Sequence, residues 1–243
     1  MKIRHLLFPA ILLATCVITS CSKDEEDQPQ KETKTVYYMK TLVTTNEVWG
    51  TFADSMVYNN NMQLIRNISS WGTVADTLDY SYDNSGRIEF ITKNGGNYKS
   101  YEYPDQVILE KTWSVSQGNW STVQFNLNAD GKAVREQDIN TSIFSTYEWT
   151  NGNRTKMTTY DGAGIVEITN TIYNTTVKNP LNERYTGTLL AVTSINMEAD
   201  AGENGEIVYT SNSAGYPVTV AIPTDFGVFY STYTYETKIV EVN

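Results

Sequence analysis

The chain of 243 residues is acidic, with 28 Asp and Glu against 18 Lys and Arg for a formal net charge of −10, and it carries one histidine and two cysteines. His5 and Cys16 lie in an apolar N-terminal stretch and Cys21 directly follows it, so the rest of the chain has neither imidazole nor thiol. This excludes Ser-His-Asp and Cys-His catalysis, histidine acid–base chemistry, zinc sites of His or Cys, and disulfides; an acidic balance without a basic stripe excludes nucleic acid as a partner.

Lys2 and Arg4 precede an apolar run from Leu6 to Ile18, which is too short to span a bilayer as a mature helix and is flanked as a signal peptide is. The following Ile18-Thr19-Ser20-Cys21 resembles the lipobox of bacterial lipoproteins. That resemblance implies a signal peptide at 1–20, cleavage before Cys21 and lipidation of the Cys21 thiol. Losing Lys2 and Arg4 with the leader leaves 16 basic against 28 acidic residues. Residues 21–35 open with Ser22-Lys23-Asp24-Glu25-Glu26-Asp27, which buries nothing and reads as a solvated tether. A lysine followed by acids just after the cysteine is similar to the surface-export signal of Bacteroidetes lipoproteins. It implies a lipid-anchored, surface-exposed place on the outer membrane, with the lipid as the only membrane contact.

From residue 36 to 243 we expect one β domain. Aromatic-rich phrases recur roughly every 22 residues: Tyr58-Asn59-Asn60-Asn61, Tyr80-Ser81-Tyr82-Asp83-Asn84-Ser85-Gly86, Phe125 to Gly131, Tyr147 to Gly152 and Tyr209 to Gly215, with Tyr101-Glu102-Tyr103-Pro104-Asp105 as a shortened copy. Alternating aromatic and polar residues suit a strand with one buried face, while Asn, Asp and Gly supply the left-handed turn positions. Each phrase is therefore a strand, a tight turn and a returning strand. Asn94-Gly95-Gly96-Asn97, Gln117-Gly118-Asn119 and Asp161-Gly162-Ala163-Gly164 make turns at the opposite edge. The expected fold is all-β, an antiparallel up-and-down meander of about a dozen strands, curled or barrel-like. An irregular insert near 178–205 interrupts the period with Pro180 and the Leu189-Leu190-Ala191-Val192 run. Such departures either carry function or cap a barrel.

The phrase of an aromatic, an Asx and a Gly resembles the YD repeats of secreted bacterial shell and wall proteins. Together with the lipobox, Lys178-Asn179-Pro180 and Gly215-Tyr216-Pro217-Val218, it resembles Bacteroidetes lipoproteins of unknown function with a porin-like fold. The resemblance implies a barrel or half barrel and no particular activity. A lipid-facing barrel needs every second residue apolar. Arg135-Glu136-Gln137-Asp138 instead puts charge on both faces of one strand, and Val166, Ile168 and Ile172 alternate with Glu167, Thr169 and Thr171. Both patterns fit a soluble, tethered sheet.

Trp113, Trp120 and Trp149, with Tyr101 and Tyr103, are the candidate binding residues, since aromatic faces stack on sugars. Trp113 and Trp120 flank the Gln117-Gly118-Asn119 turn and should meet across one hairpin. Aromatics at alternate positions also build β cores, and both readings stand at this point. Asp83, Asn84, Asp130 and Asn212 are hard oxygen donors for Ca²⁺, but each loop has too few carboxylates and turn formation explains them; no metal or cofactor is expected. Glu102, Glu110, Glu148, Glu167 and Glu206 lie in expected strands with nothing marking a catalytic pair. Asp54-Ser55-Met56 and Asp76-Thr77-Leu78 match the pattern of Bacteroidetes O-glycosylation sites. The leading functional reading is a non-catalytic surface lipoprotein that binds glycan or protein. The alternatives are a glycan hydrolase with two carboxylates and a lipid-holding or envelope-assembly half barrel with the Leu189 segment as its lid.

Overall fold

The computed structural model describes residues 32–184 and 193–241. The leader, Cys21, the tether up to residue 31 and the apolar run at 189–192 lie outside the described residues. Alternating β-branched or aromatic residues with polar ones build strands nearly throughout: β1 (Thr33–Asn46), β2 (Gly50–Tyr58), β3 (Leu64–Trp71), β4 (Val74–Tyr82), β5 (Ile88–Lys93), β6 (Gly96–Glu102), β7 (Val107–Ser114), β8 (Asn119–Leu127), β9 (Ala133–Asp138), β10 (Phe144–Thr150), β11 (Asn153–Asp161) and β12 (Gly164–Asn170). After these come β13 (Tyr173–Lys178), helix α1 (Pro180–Arg184), β14 (Asn196–Glu198), β15 (Val208–Ser211), β16 (Pro217–Thr224) and β17 (Gly227–Glu241).

The fold is the all-β antiparallel meander, larger than the dozen strands that the repeat suggests. Fifteen strands form one sheet in the order β12 back through β1, then β17, β16 and β15. The chain thus meanders from β1 to β12, leaves the sheet, and returns to pair its last strand antiparallel with its first, Thr33 opposite Glu241. Edges β12 and β15 do not pair with each other, so the sheet is not closed into a barrel.

The recurring phrase is a physical unit. In four turns an Asx side-chain oxygen accepts the backbone N–H groups two and four residues on: Asn59 from Asn61 and Gln63, Asp83 from Ser85 and Arg87, Asn128 from Asp130 and Lys132, and Asn212 from Ala214 and Tyr216. The residue three places after the Asx has positive φ, at Gly86 (77°), Gly131 (73°) and Gly215 (86°). The aromatic ahead of the turn then donates to the first strand residue of the preceding hairpin. Tyr82 Oη donates to the Leu64 carbonyl at 2.7 Å, Tyr103 Oη to Ile88 at 2.5 Å and Trp149 Nε1 to Ala133 at 2.6 Å. Each turn is self-contained, while each aromatic staples one hairpin to its neighbour.

One face of the sheet carries the core. Ile88, Ile91, Tyr101, Ile108, Phe125, Ala133 and Tyr147 form one buried cluster; Met39, Met56 and Leu64 form another, against which Leu181 of α1 packs. Fully burying a side chain such as Leu64 or Ile88 contributes about 1.5–3 kcal/mol. The insert caps this core at the Asx-turn end and ties the two halves together. Ile195 N–H donates to the Gly152 carbonyl (3.3 Å), Asn196 and Asn153 exchange two bonds (2.9 and 3.0 Å), and Lys178 N–H donates to Gly215 (2.8 Å). Strand β12 lies beyond the core and is exposed on both faces, so Val166 and Ile168 are exposed rather than set against a buried layer. A register shift at Thr159/Tyr160 distorts its pairing with β11, which makes an edge a poorer template for another strand.

Candidate functional site

The residues singled out in the sequence do not share a surface. Trp113 and Trp120 do meet, directly opposite in β7 and β8, with ring centroids 5.3 Å apart at 62°, and Phe90 packs edge-on to Trp120 at 6.3 Å. The register puts them on the face of Leu109 and Lys111, opposite to Ile108 and the core. Tyr101 is only 4% exposed within the core, so its ring offers no face to a ligand. Burial, reinforced by the nearby Glu110 carboxylate, drives the pKa of its hydroxyl far up. Tyr103 and Trp149 pack against the same core. Tyr103 donates to the Ile88 carbonyl at 2.5 Å with the Arg87 guanidinium 4.2 Å above its ring, and Trp149 lies 5.0 Å below the Lys132 ammonium.

The acids are also dispersed. Glu102 pairs with Lys111 and Glu148 with Lys156, while Glu110, in the next register position to Leu109 and so on the other face, pairs with Lys99 at 2.5 Å. Asp83 closes its turn and binds Arg87 at 2.7 Å; the Arg87 backbone N–H holds its carboxyl below the usual range. Among the described residues no cluster of three or more His, Cys, Asp or Glu has metal-binding geometry.

A recess forms away from the expected binding residues, at the end of β2, β3 and β4 opposite to the Asx turns. Antiparallel register aligns Asp54, Ser69 and Asp76 in one row, and Phe52, Trp71 and Val74 in the next row outward. Because side chains alternate at period two, both rows fall on the same face. Phe52 and Trp71 stack at 5.4 Å and 20°, and Trp71 remains 53% exposed because it stands at a hairpin end. Trp71 Nε1 donates to the Trp49 carbonyl at 3.0 Å, and Trp49 meets Phe226 edge-on at 6.1 Å, extending an aromatic rim over neighbouring turns. The cavity between the rows is about 440 Å³.

The two carboxylates of this recess differ. Asp76 accepts from Lys93 and Asn94, each at 2.8 Å, and the Lys93 bond above all holds it below the ordinary carboxylate range. Asp54 accepts from the Ser69 hydroxyl and from Asn67 Nδ2 at 3.4 Å, and no lysine or arginine pairs with it among the described residues. The signal that could have found this site is a duplication. Phe52-Ala53-Asp54 and Val74-Ala75-Asp76 are the same apolar-Ala-Asp phrase one period apart, with Ser69-Ser70-Trp71 running back between them.

A second cavity of about 330 Å³ sits at the insert, with Arg154, Ser194 and Asn196 beside Met197, Ile207 and Ile222. Its lining is too mixed for a dry acyl-chain tunnel.

Comparison with protein-family models gives no match, and neither does comparison with curated proteins. Among solved structures, the chain is similar to a porin-like protein from Bacteroides uniformis ATCC 8492, at 14% identity and a TM-score of 0.54, over 82% of this chain and 98% of that one. At that identity the likeness is one of fold: this chain has a porin-like β architecture, built as an open antiparallel meander.

Proposed function

We propose that this protein is a non-catalytic, lipid-anchored glycan-binding module of the outer-membrane surface, and that the recess of Phe52, Trp71, Asp54 and Asp76 is its binding site. The observation that carries this reading is the exposed Phe52–Trp71 stack set one register step from a row of carboxylate and hydroxyl groups. A pyranose lays its C–H face on an aromatic ring and donates its hydroxyls to a carboxylate, and this arrangement offers both. Hydrolysis is the weaker reading. A general acid must keep its proton near neutral pH, whereas Lys93 and Asn94 hold Asp76 ionised.

The course of the first strand supports outward presentation. β1 leaves the tether at Thr33 and reaches the recess end at Asn46, a path of about 45 Å at roughly 3.3 Å per residue. A tether joined at Thr33 thus enters the sheet at the end away from the rim. The two free sheet edges and the Glu102–Lys111 and Glu148–Lys156 pairs on the face opposite to the core support a place outside the bilayer, since a spanning barrel closes its edges.

A glycan array probed with the chain from Cys21 onward tests the site. Binding should fall at least about tenfold in Trp71→Ala, the loss of one stacked ring, and survive Trp113→Ala and Trp120→Ala. No binding to any glycan sinks the reading, and binding lost only with Trp113 or Trp120 moves the site to the other face. For the anchor, Cys21→Ala should shift the protein out of the membrane fraction; retention there refutes lipidation.

A further inference from the structure

The recess has a lopsided supply of hydrogen bonds. Ser69 spends its only proton on Asp54, and Asn67 Nδ2 is shared between Asp54 and the Ser69 hydroxyl. Trp71 donates its side-chain N–H to the Trp49 carbonyl, Ser70 donates to Ala53, and Lys93 and Asn94, which stand outside the lining, each give one N–H to Asp76. The hydroxyl and indole donors that line the cavity are therefore used, while the Asp54 carboxylate remains as an acceptor. Asp54 keeps oxygen capacity, and among the described residues no lysine or arginine pairs with it. A ligand that brings acceptors finds no unused hydroxyl or indole proton on the lining, whereas one that brings donors meets the open oxygen capacity of Asp54.

Charge points the same way. The stacked Phe52 and Trp71 rings attract a cation through their quadrupoles, the half-buried Asp54 carboxylate attracts it directly, and the chain as a whole is at −10. We infer that the recess selects a glycan bearing a protonated amino group, an unacetylated hexosamine, over neutral sugars, and rejects acidic ones. This rests on the glycan-binding reading and specifies its ligand. Asp54 accepts the ammonium, Trp71 takes the face of the ring, and Asp76, already neutralised by Lys93, contributes no discrimination.

The test is calorimetric titration of the chain from Cys21 onward, in detergent, with three hexamers: β-1,4-linked glucosamine, its N-acetylated counterpart and a uronic acid. The amino hexamer should bind about tenfold or more tighter than the acetylated one, the worth of one charge-assisted bond, and the uronic acid should not bind. Asp54→Asn, which keeps shape and the Ser69 bond, should erase that preference while leaving weak binding of the acetylated hexamer. Glu47→Gln, which removes a carboxylate from the adjacent exposed turn, should leave the preference intact. Equal affinity for the first two hexamers, or a preference that survives Asp54→Asn or disappears in Glu47→Gln, overturns the inference and leaves glycan binding standing. Failure of all three hexamers with a folded protein by near-UV circular dichroism overturns both readings. Pentalysine binding as tightly as the amino hexamer shows that charge alone is recognised and overturns the amino-sugar assignment.

Discussion

Position 62 shows what the hairpin unit demands of a single residue. It occupies the site filled by Gly86, Gly131 and Gly215 in the other Asx turns, yet it is methionine with φ of 60°. A side chain in the left-handed region costs about 1–2 kcal/mol, partly offset by the lower unfolded-state entropy of a non-glycine residue. Met62→Gly should therefore stabilise the protein by about 0.5–1 kcal/mol, read as a higher urea midpoint at unchanged slope. The reverse changes should differ among themselves. A Cβ at Gly131 meets nothing within 4 Å, whereas one at Gly215 would lie 3.3 Å from the Thr176 carbonyl, where the backbone cannot swing aside. Gly215→Ala should cost more than the roughly 1 kcal/mol of Gly131→Ala, in the same urea titration.

At the scale of the hairpin, each turn holds itself together but depends on the aromatic staple to sit against its neighbour. Tyr82→Phe keeps the ring and removes only the bond to the Leu64 carbonyl. It should cost about 1 kcal/mol, the usual worth of a part-buried hydrogen bond. If the staple sets hairpin packing, hydrogen exchange should quicken in β3 and β4 and not in β10 and β11. Trp113 and Trp120 illustrate a different limit. That they meet follows from their equal distance to one turn, a local fact. Which face they occupy depends on bulges elsewhere in the strands, because one extra residue reverses every side chain beyond it.

For the molecule as a whole, the concentration of tyrosine sets the alkaline limit of stability. Burial drives the phenol pKa values of Tyr101, Tyr147, Tyr209 and Tyr235 far up and that of Tyr233 to about 12. Unfolded tyrosine ionises near about pH 10. A raised pKa means the folded state holds protons that the unfolded state has released, so this stabilisation is complete below about pH 10 and is lost as pH rises toward the folded values. The protein should unfold cooperatively between about pH 10 and 12, with tyrosinate absorbance and loss of near-UV circular dichroism rising together. Exposed tyrosines such as Tyr230 ionise early in either case; a tyrosinate rise that runs to completion without unfolding would show that the five rings are accessible.

The sequence by itself determined the hairpins, because their chemistry is contained within a few residues: an Asx, its two backbone donors and a residue that tolerates positive φ. It also determined the β class and the absence of imidazole and thiol from all but the N-terminal segment. Tertiary structure alone decided that β17 returns to β1 and that the sheet stays open, since pairing between strands nearly two hundred residues apart leaves no local trace. It likewise decided the recess. Asp54 and Asp76 lay in the sequence as separate short motifs, and Phe52 and Trp71 as unremarked aromatics; only the register of β2, β3 and β4 brings the four to one face. Register is a cooperative property of turn lengths and bulges along the whole meander, so a one-residue difference in any of them would have scattered the same side chains over both faces of the sheet.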